Sequence, residues 1–587
     1  MKRFFILTII AALAFAVESP ARQQDRRARA ITGRVVNDGG QPIANAAVYF
    51  NRVGNRPGAN NSTGTDEQGN FRAEDLANGA YVVSAMVPGF VPASDETEPQ
   101  YYRVGDWVTL TMTKGGVITG AVTNSLGEPV VAARVRAIRV RETDGRTVRS
   151  IGFGSERATD DRGVYRLYGL RSGAYIVAVT GQPMFGFGPP SLYDGNAPTY
   201  YPSSTRDTAV EVTVRAGDEA SNIDIRYRGE RGHAVSGTLT GAIEGGQQMG
   251  GISVSLAHAS SGMIEAQEFV QFRDKTRSFA FYGVPDGEYD LMARRGGETD
   301  SAASVPRRIA VKGGDVTGLE LELAPLGSIA GSVVIETLKE GERKPECGDK
   351  QQASIEEIVI AARRDDKGAK PEPLSMSPLT MSRSNSSPND KGEFTLFNLR
   401  PGLFRIQPRL PVESWYVRSI NLIAPAATGK PKVAARDAAQ SGLQLSRGER
   451  MAGLTVTVAE GAAFITGRIL PAKEGQPIPS QVRVHLVPAE PEMAEDAIRY
   501  REALATNDAT FTLANLAPGR YYILAKEVSE ASPNEDGARP AAWDQTARAA
   551  IRREAEAANQ TIELQPCRRI TDYSLRMAAA KPAAKKS

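Results

Sequence analysis

The chain has 587 residues, with 71 Lys and Arg against 68 Asp and Glu, so its formal net charge is only +3. This length is far beyond what one hydrophobic core supports, so several domains of about 100 residues each are expected. The near balance of charge, without a long basic face, gives no indication of nucleic-acid binding.

Residues 1–16 have the pattern of a secretory signal peptide. The basic pair Lys2-Arg3 precedes an apolar run over residues 4–15, which is too short to span a bilayer comfortably. Ala14-Phe15-Ala16 fits a cleavage site, so the mature chain is expected to be exported and to begin near Val17. An uncleaved anchor is the alternative. No integral membrane segment is expected after cleavage, since no later stretch of about 20 apolar residues follows.

One motif recurs five times and is clearest over residues 159–177. An Asp-rich turn ends at Gly163, and Tyr165 and Leu167 then alternate with polar residues up to a second turn at Gly173. Asp side chains mimic turn hydrogen bonds, and glycine accepts a positive φ. The alternation is typical of a half-buried strand. The motif therefore predicts a hairpin, and its closing turn has a glycine in all five copies: Gly79, Gly173, Gly287, Gly402 and Gly519.

A second motif precedes each hairpin by a similar distance, which is greater in the fourth copy because of an insertion. It places a glycine in the middle of a short apolar strand, as in Ile31-Thr32-Gly33-Arg34-Val35. Two signals in fixed order, repeated five times, indicate a repeat array. The glycines at this position are Gly33, Gly120, Gly237, Gly331 and Gly467.

The strand and turn signals between these motifs predict an all-β fold, a tandem array of about five antiparallel β-sandwich modules forming an elongated rod. Residues 544–558 have the composition of a helix, but a helical turn or loop is favoured in a β module. In chain order we expect a flexible lead-in over 17–29, modules at 30–114, 115–230, 231–326, 327–460 and 461–566, a disordered insertion at about 338–388 in the fourth, and a disordered tail over 567–587.

The motifs resemble those of the carboxypeptidase regulatory-like family, a transthyretin-like, Ig-like sandwich found in bacterial exported proteins. Four motifs carry the resemblance in modules 1 and 2, and modules 4 and 5 match well, whereas module 3 lacks the Asp-Gly turn. The resemblance covers nearly all of residues 30–566. It implies a seven-stranded sandwich with a non-catalytic binding or spacer role, since related folds bind glycans or build surface stalks. The motifs are Ile31–Val35, Gly127–Val130, Thr159–Tyr165 and Leu170–Tyr175.

The sequence shows no pattern of catalytic or metal-binding residues. The chain has three histidines, His233, His258 and His485, and none begins the closely spaced His and carboxylate run that a zinc hydrolase needs. No nucleophile elbow or phosphate-binding glycine loop is present either. We therefore expect a protein that is not an enzyme and uses no cofactor.

Aromatic residues that follow the hairpins are the candidate ligand or partner surface. Aromatic faces in shallow loops can stack on sugar rings or anchor a protein partner. The structural alternative, which their recurrence favours, is that they close the open end of each sandwich. These residues are Tyr101, Tyr102, Tyr200, Tyr201, Trp415, Tyr416 and Trp543.

Cys347 and Cys567 are the only cysteines. In an oxidising compartment they could form a disulfide between the fourth and fifth modules, and two unpaired surface thiols are the alternative. The function predicted first is a non-catalytic scaffold or protein-interaction protein of the cell envelope, in the periplasm, on the outer surface or secreted. The second is a carbohydrate-binding protein of the same architecture, whose partner would be an envelope polysaccharide.

Overall fold

The computed structural model shows a tandem array of five β-sandwich modules, so the predicted all-β fold class is confirmed. The chain turns back in this array, as the contacts below show. The described residues are 30–578, apart from 55–60, 95–98, 144, 146, 149–155, 182–190, 243–250, 272–276, 298, 339–352, 366–384, 424–434 and 529–539. The predicted signal peptide and lead-in lie outside them.

Module 1 shows the plan that the others repeat. In one sheet the first strand lies between the strand before the closing turn, to which it is antiparallel, and the last strand, to which it is parallel. The hairpin prediction is wrong, because the two described strands on either side of the closing turn do not pair with each other in any module, and in module 1 the turn joins the two sheets of the sandwich. In the second sheet β2 pairs with β5, and β3 and β7 flank them. The strands are β1 (Ile31–Asn37), β2 (Ala47–Arg52), β3 (Asn61–Gly64), β4 (Asn70–Ala73), β5 (Ala80–Met86), β6 (Phe90–Pro92), β7 (Tyr102–Arg103) and β8 (Trp107–Lys114).

Modules 2 and 3 keep this plan, and their first strands again pair in parallel with their last strands. Module 2 contains β9 (Gly116–Thr123), β10 (Arg134–Arg141), β11 (Glu156–Ala158), β12 (Val164–Leu170), β13 (Gly173–Thr180), β14 (Thr199–Tyr200), β15 (Val212–Val214), β16 (Glu219–Ala220) and β17 (Ile225–Arg226). Module 3 contains β18 (His233–Gly241), β19 (Gly251–His258), β20 (Ile264–Gln271), β21 (Ser278–Val284), β22 (Gly287–Arg295), β23 (Ala302–Ala303), β24 (Arg307–Val311) and β25 (Val316–Pro325).

Module 4 corrects the predicted insertion at about 338–388. Residues 353–365 and 385–388 belong to the sandwich, because Ile358 and Ile360 pack in its core. The rest of that range lies outside the described residues. The elements are β26 (Gly327–Glu336), β27 (Val359–Arg364), β28 (Asn385–Ser386), β29 (Glu393–Leu399), β30 (Gly402–Arg409), β31 (Trp415–Leu422), β32 (Arg436–Asp437), α1 (Ala438–Ser441), β33 (Leu443–Leu445) and β34 (Arg450–Glu460).

Module 5 corrects two predictions. Residues 569–576 form its last strand, parallel to the first, and not a disordered tail, because Leu575 completes the core. Residues 545–558 form a true helix, capped by the Asp544 side chain, and its Ile551 packs on the outer face of the second sheet. The elements are β35 (Ala463–Leu470), β36 (Val482–Pro488), β37 (Arg501–Leu504), β38 (Thr510–Leu516), β39 (Gly519–Glu527), α2 (Gln545–Ala558), β40 (Thr561–Leu564) and β41 (Arg569–Arg576).

The first-strand glycines are required by close approach of the parallel last strand. A Cβ at Gly33 would lie within van der Waals distance of the Val108 carbonyl oxygen and of the Phe71 ring. The same carbonyl approach is present at the other four copies of this glycine. Four of the five closing-turn glycines have φ between 148° and 151°, as their turn prediction requires.

The modules form a closed circuit of contacts. Each module touches the next one along the chain, as expected of an array. Module 1 also touches module 4, where Asn385 Nδ2 donates to Tyr101 Oη at 2.9 Å and Val53, Ala80 and Val359 form one buried apolar cluster. We call these five residues the ring-closing contact. Modules 1 to 4 thus form a ring, a bent arrangement that the sequence did not predict.

Candidate functional site

The seven candidate aromatic residues do not come together in one site, because they lie in modules 1, 2, 4 and 5. In module 1, Tyr101 belongs to the ring-closing contact and is half-buried. Its neighbour Tyr102 stays within the module, packs on the core and donates its hydroxyl to Gln100 at 2.7 Å. The two tyrosines therefore have different surroundings despite their adjacency.

In module 2, Tyr200 is fully buried and Tyr201 packs against the core of its own module. Tyr200 lies between modules, in an apolar cluster with Ile138 and Ile176 of module 2 and Met263 of module 3. Burial raises the pKa of the Tyr200 hydroxyl far above its usual range. A sugar ring has no access to a side chain in this position.

A buried set of charges lies beside Tyr200, and we call its members Arg136, Arg206, His258 and Glu265 the charged joint. Glu265 of module 3 accepts a hydrogen bond from His258 at 2.9 Å and pairs with Arg206 of module 2 at 3.3 Å. Arg136 of module 2 donates to the Glu265 carbonyl oxygen at 3.4 Å. Burial alone would raise the pKa of Glu265, yet His258 and the two arginines lower it to about 2.

The remaining three aromatic residues lie near the joint between modules 4 and 5. Trp415 is buried in the core of module 4, and Tyr416 beside it is half-buried. Trp543 precedes α2, and the Arg363 guanidinium of module 4 stacks over its ring at 5.2 Å from the centroid. The Trp543 carbonyl oxygen also accepts a hydrogen bond from Arg405 of module 4 at 3.3 Å.

Sequence reasoning missed a second set of aromatic residues, which are the exposed ones. Trp107 is 62% exposed and Tyr282 is 55% exposed, both on strands of the sheet that contains the first strand. Tyr168 occupies the position in module 2 that Tyr282 occupies in module 3, and Arg157 stacks over its ring at 4.9 Å. The signal for Tyr168 and Tyr282 was their place on the outward side of the alternating strand before the closing turn.

A residue with left-handed backbone conformation, four positions before each closing-turn glycine, was also missed. In module 5 this residue is Asn515, whose side-chain amide donates to the carbonyl oxygens of Val412 and Trp415 in module 4 at 2.7 and 2.8 Å. Asn398 likewise reaches from module 4 to Gly297 of module 3. Only Gly, Asn or Asp occurs at this position, which would have identified it: Asp75, Gly169, Gly283, Asn398 and Asn515 have φ of 57°, 70°, 68°, 62° and 54°.

The three histidines do not share a site. His233 and His258 are both in module 3, whereas His485 is in module 5. Burial and the nearby charges of Lys526 and Arg483 lower the pKa of His485 to about 4. Among the described residues, no group of three or more His, Cys, Asp or Glu side chains is arranged to hold a metal ion.

A cavity of about 270 Å³ lies where modules 1 and 4 meet. Its walls include Arg52 and Gly54 from module 1 and Ser386 and Ser387 from module 4. Arg52 Nε and Ser387 Oγ are buried and have no hydrogen-bond partner in the part of the chain that the structure describes. Among the described residues, the contact between these two modules therefore leaves buried polar atoms unsatisfied.

Cys567 is buried. Cys347 lies outside the described residues, so its pairing with Cys567 stays a prediction. None of the helices in the described ranges is long and apolar enough to cross a membrane.

The chain was compared with curated proteins, solved structures and family models. No curated protein matches the chain. Among solved structures, the minor pilin GBS52 of Streptococcus agalactiae is 13% identical, with 34% of this chain and 96% of the pilin covered and a TM-score of 0.19. The major pilin BcpA of Bacillus cereus is 11% identical, with coverages of 50% and 98% and a TM-score of 0.13.

Two B repeats of the Staphylococcus aureus collagen-binding protein are 11% identical, with 73% of this chain and 99% of the repeat pair covered and a TM-score of 0.13. Scores this low carry no argument about function. The match to a family model is more informative, because residues 30–110 match the carboxypeptidase regulatory-like domain. These residues are β1 to β8 almost in full, so module 1 is similar to a carboxypeptidase regulatory-like domain over nearly its whole length, and the four later modules repeat its plan of strands and turns.

Proposed function

We propose that this protein is a non-catalytic, exported scaffold of the cell envelope that acts through protein–protein contacts. The observation that carries the proposal is the use of aromatic residues and outer sheet faces for contacts between modules. Tyr101, Tyr200 and Trp543 each contribute to a contact between two modules. A chain that builds its modules into one body with these residues is suited to holding partners at fixed positions.

Export follows from the predicted signal peptide and is tested on native material. Cell fractionation and N-terminal sequencing should give an envelope or secreted protein that begins near Val17. Met1 retained on cytoplasmic material would contradict this part of the proposal.

Binding to immobilised polysaccharide distinguishes the scaffold from a lectin. We expect the wild-type protein to pass through polysaccharide columns and to give no signal on a glycan array. The double variant Tyr200→Ala, Tyr201→Ala should lose about 2–5 kcal/mol of stability through lost burial, with no binding to lose. A wild-type protein that is retained, together with a stable double variant that is not, would contradict the proposal.

The carbohydrate-binding alternative is supported by one observation, the exposed aromatic residues. Trp107, Tyr168 and Tyr282 present ring faces outside the cores and are the residues that such binding would use. If the wild-type protein is retained on a polysaccharide, replacing all three by alanine should abolish retention without loss of the fold. Retention by the triple variant would leave the alternative without a binding residue.

A further inference from the structure

The contact between modules 1 and 4 covers surfaces that would be apolar and exposed without it. In β5, Tyr81 and Val83 point into the core of module 1, whereas Ala80 and Val82 point outward to module 4. In module 4, Ile358 and Ile360 are core residues and Val359 between them points outward to module 1. Strand geometry therefore separates the residues that hold each module together from those that hold the two modules against each other.

Two ion pairs surround this apolar cluster, and the distances between their charged atoms are long. Arg52 of module 1 lies 3.7 Å from Glu356 of module 4, and Arg103 lies 3.5 Å from Glu357. The hydrogen bond between Tyr101 and Asn385 completes the contact. Ion pairs at such distances contribute little, and within the described ranges the cavity leaves Arg52 Nε and Ser387 Oγ without hydrogen bonds, which weakens the contact further.

The joints between modules 1, 2, 3 and 4 compensate for this weakness. They hold modules 1 and 4 at a high effective concentration, so a modest contact suffices to close the ring. We propose that the ring-closing contact is a conformational lock, which opens while every module stays folded and then exposes the outer apolar faces of β5 and β27. The closed and open states of the ring differ in the arrangement of the modules and not in the internal structure of each module.

The test uses the full mature chain and the variant Val359→Asp. A charge at this outward position removes the apolar cluster but leaves the core neighbours of module 4 in place. We expect a larger maximum dimension in small-angle X-ray scattering and severalfold faster amide exchange in the peptide over Ala80–Met86, with unchanged circular dichroism. The matched control is Val334→Asp, since Val334 of module 4 is already exposed; it should change neither measurement.

A folded Val359→Asp protein with the wild-type dimension and exchange would overturn the proposal. If this variant unfolds module 4, the variant Glu356→Arg tests the lock instead, because it reverses a charge on the surface of module 4 opposite Arg52. A larger dimension for Glu356→Arg supports the lock, and an unchanged one overturns it. Two conservative single variants, Tyr101→Phe and Tyr102→Phe, test the same surface. Only Tyr101→Phe should raise exchange in β5, because the Tyr102 hydroxyl bonds within module 1.

Discussion

The charged joint and the ring-closing contact cover the same part of a module by opposite means. Both lie on the outer face of a second sheet, over β13 in module 2 and over β5 in module 1. The charged joint buries a carboxylate with two arginines and a histidine, whereas the ring-closing contact buries small apolar side chains beneath long ion pairs. Modules 2 and 3 are thus held together by buried charges that are costly to separate, whereas modules 1 and 4 are held together by groups that separate at lower cost.

The largest effect is expected when the charged joint loses its carboxylate. Glu265→Gln leaves Arg206 buried without its counter-charge, whereas Arg136 keeps its ion pair with Glu156, and the loss should destabilise the joint by about 3–5 kcal/mol. Amide exchange over residues 200–206 and 258–265 should rise strongly. Glu211→Gln is the control, because Glu211 pairs with Arg141 at the surface. Equal exchange in the two variants would show that the buried charges do not fix the joint.

The two contacts should respond differently to acidification, because the pKa of Glu265 is lowered and the pKa of Glu357 is raised. Glu265 has a lowered pKa, so its contribution is present above 4.5 and is lost as the pH falls from 4.5 to about 2. This change is worth about 3 kcal/mol. Amide exchange at the charged joint should therefore rise over that range in the wild-type protein, and it should not do so in Glu265→Gln.

Glu357 behaves in the opposite way. Burial raises its pKa, against the opposing effects of the Ser354 backbone and Arg103 and with the support of Asp106. Its contribution is therefore present below 4.5 and is lost as the pH rises through its raised pKa. Exchange in β5 should not increase on acidification while exchange at the charged joint does. A parallel increase at both contacts would contradict the comparison.

A disulfide between modules 4 and 5 would be a third kind of contact between modules. If Cys347 and Cys567 pair, reduction should lower stability by about 2 kcal/mol or more, because the bridge closes a long loop. Peptide mapping without reductant should recover the two cysteines in one linked peptide. Cys347→Ser should reproduce the effect of reduction, and a free Cys347 thiol in untreated protein would exclude the pair.

The smallest effect is expected at the joint between modules 4 and 5. Asn515→Gly keeps the left-handed backbone conformation and removes the two hydrogen bonds to module 4, which should cost about 1–2 kcal/mol. Exchange near Val412 and Trp415 should rise modestly. The control is Asp75→Gly, which alters the equivalent left-handed position in module 1 and should leave this joint unchanged.

The interior of each module could be predicted from sequence because its causes are local. Gly33 and its four equivalents recur where a neighbouring carbonyl leaves no room for a Cβ, and four of the five closing-turn glycines have a positive φ. The last strand of module 5 was missed because its outward residues are polar and its buried partners few. The helix over Gln545–Ala558 was missed because its support, Leu524 on the outer face of β39, lies outside its own segment.

Contacts between modules could not be predicted, because they join residues far apart in the chain. Val53 and Val359 look like ordinary strand residues, and only the uninterrupted apolar run from Ala80 to Val83 indicated that both faces of β5 are covered. The same kind of run in β13 and β39 marks faces that are covered by module 3 and by α2. The candidate aromatic residues follow the closing turns in sequence but do not occupy one equivalent position, since Tyr102 lies on β7 beside β5 and Trp415 lies on β31 beside the last strand β34. Their spacing in the sequence therefore could not indicate what each ring packs against.

Ring closure also determines how this protein would carry a mechanical load. A pull between the start of β1 and module 5 can pass directly through the ring-closing contact, in parallel with the longer route through modules 2 and 3. The three joints on that longer route are shielded while the contact holds. When the contact breaks, the chain lengthens by the extent of the opened ring before any sandwich must unfold. The closed ring therefore holds extra length, and releasing that length protects the modules from the first part of a stretch.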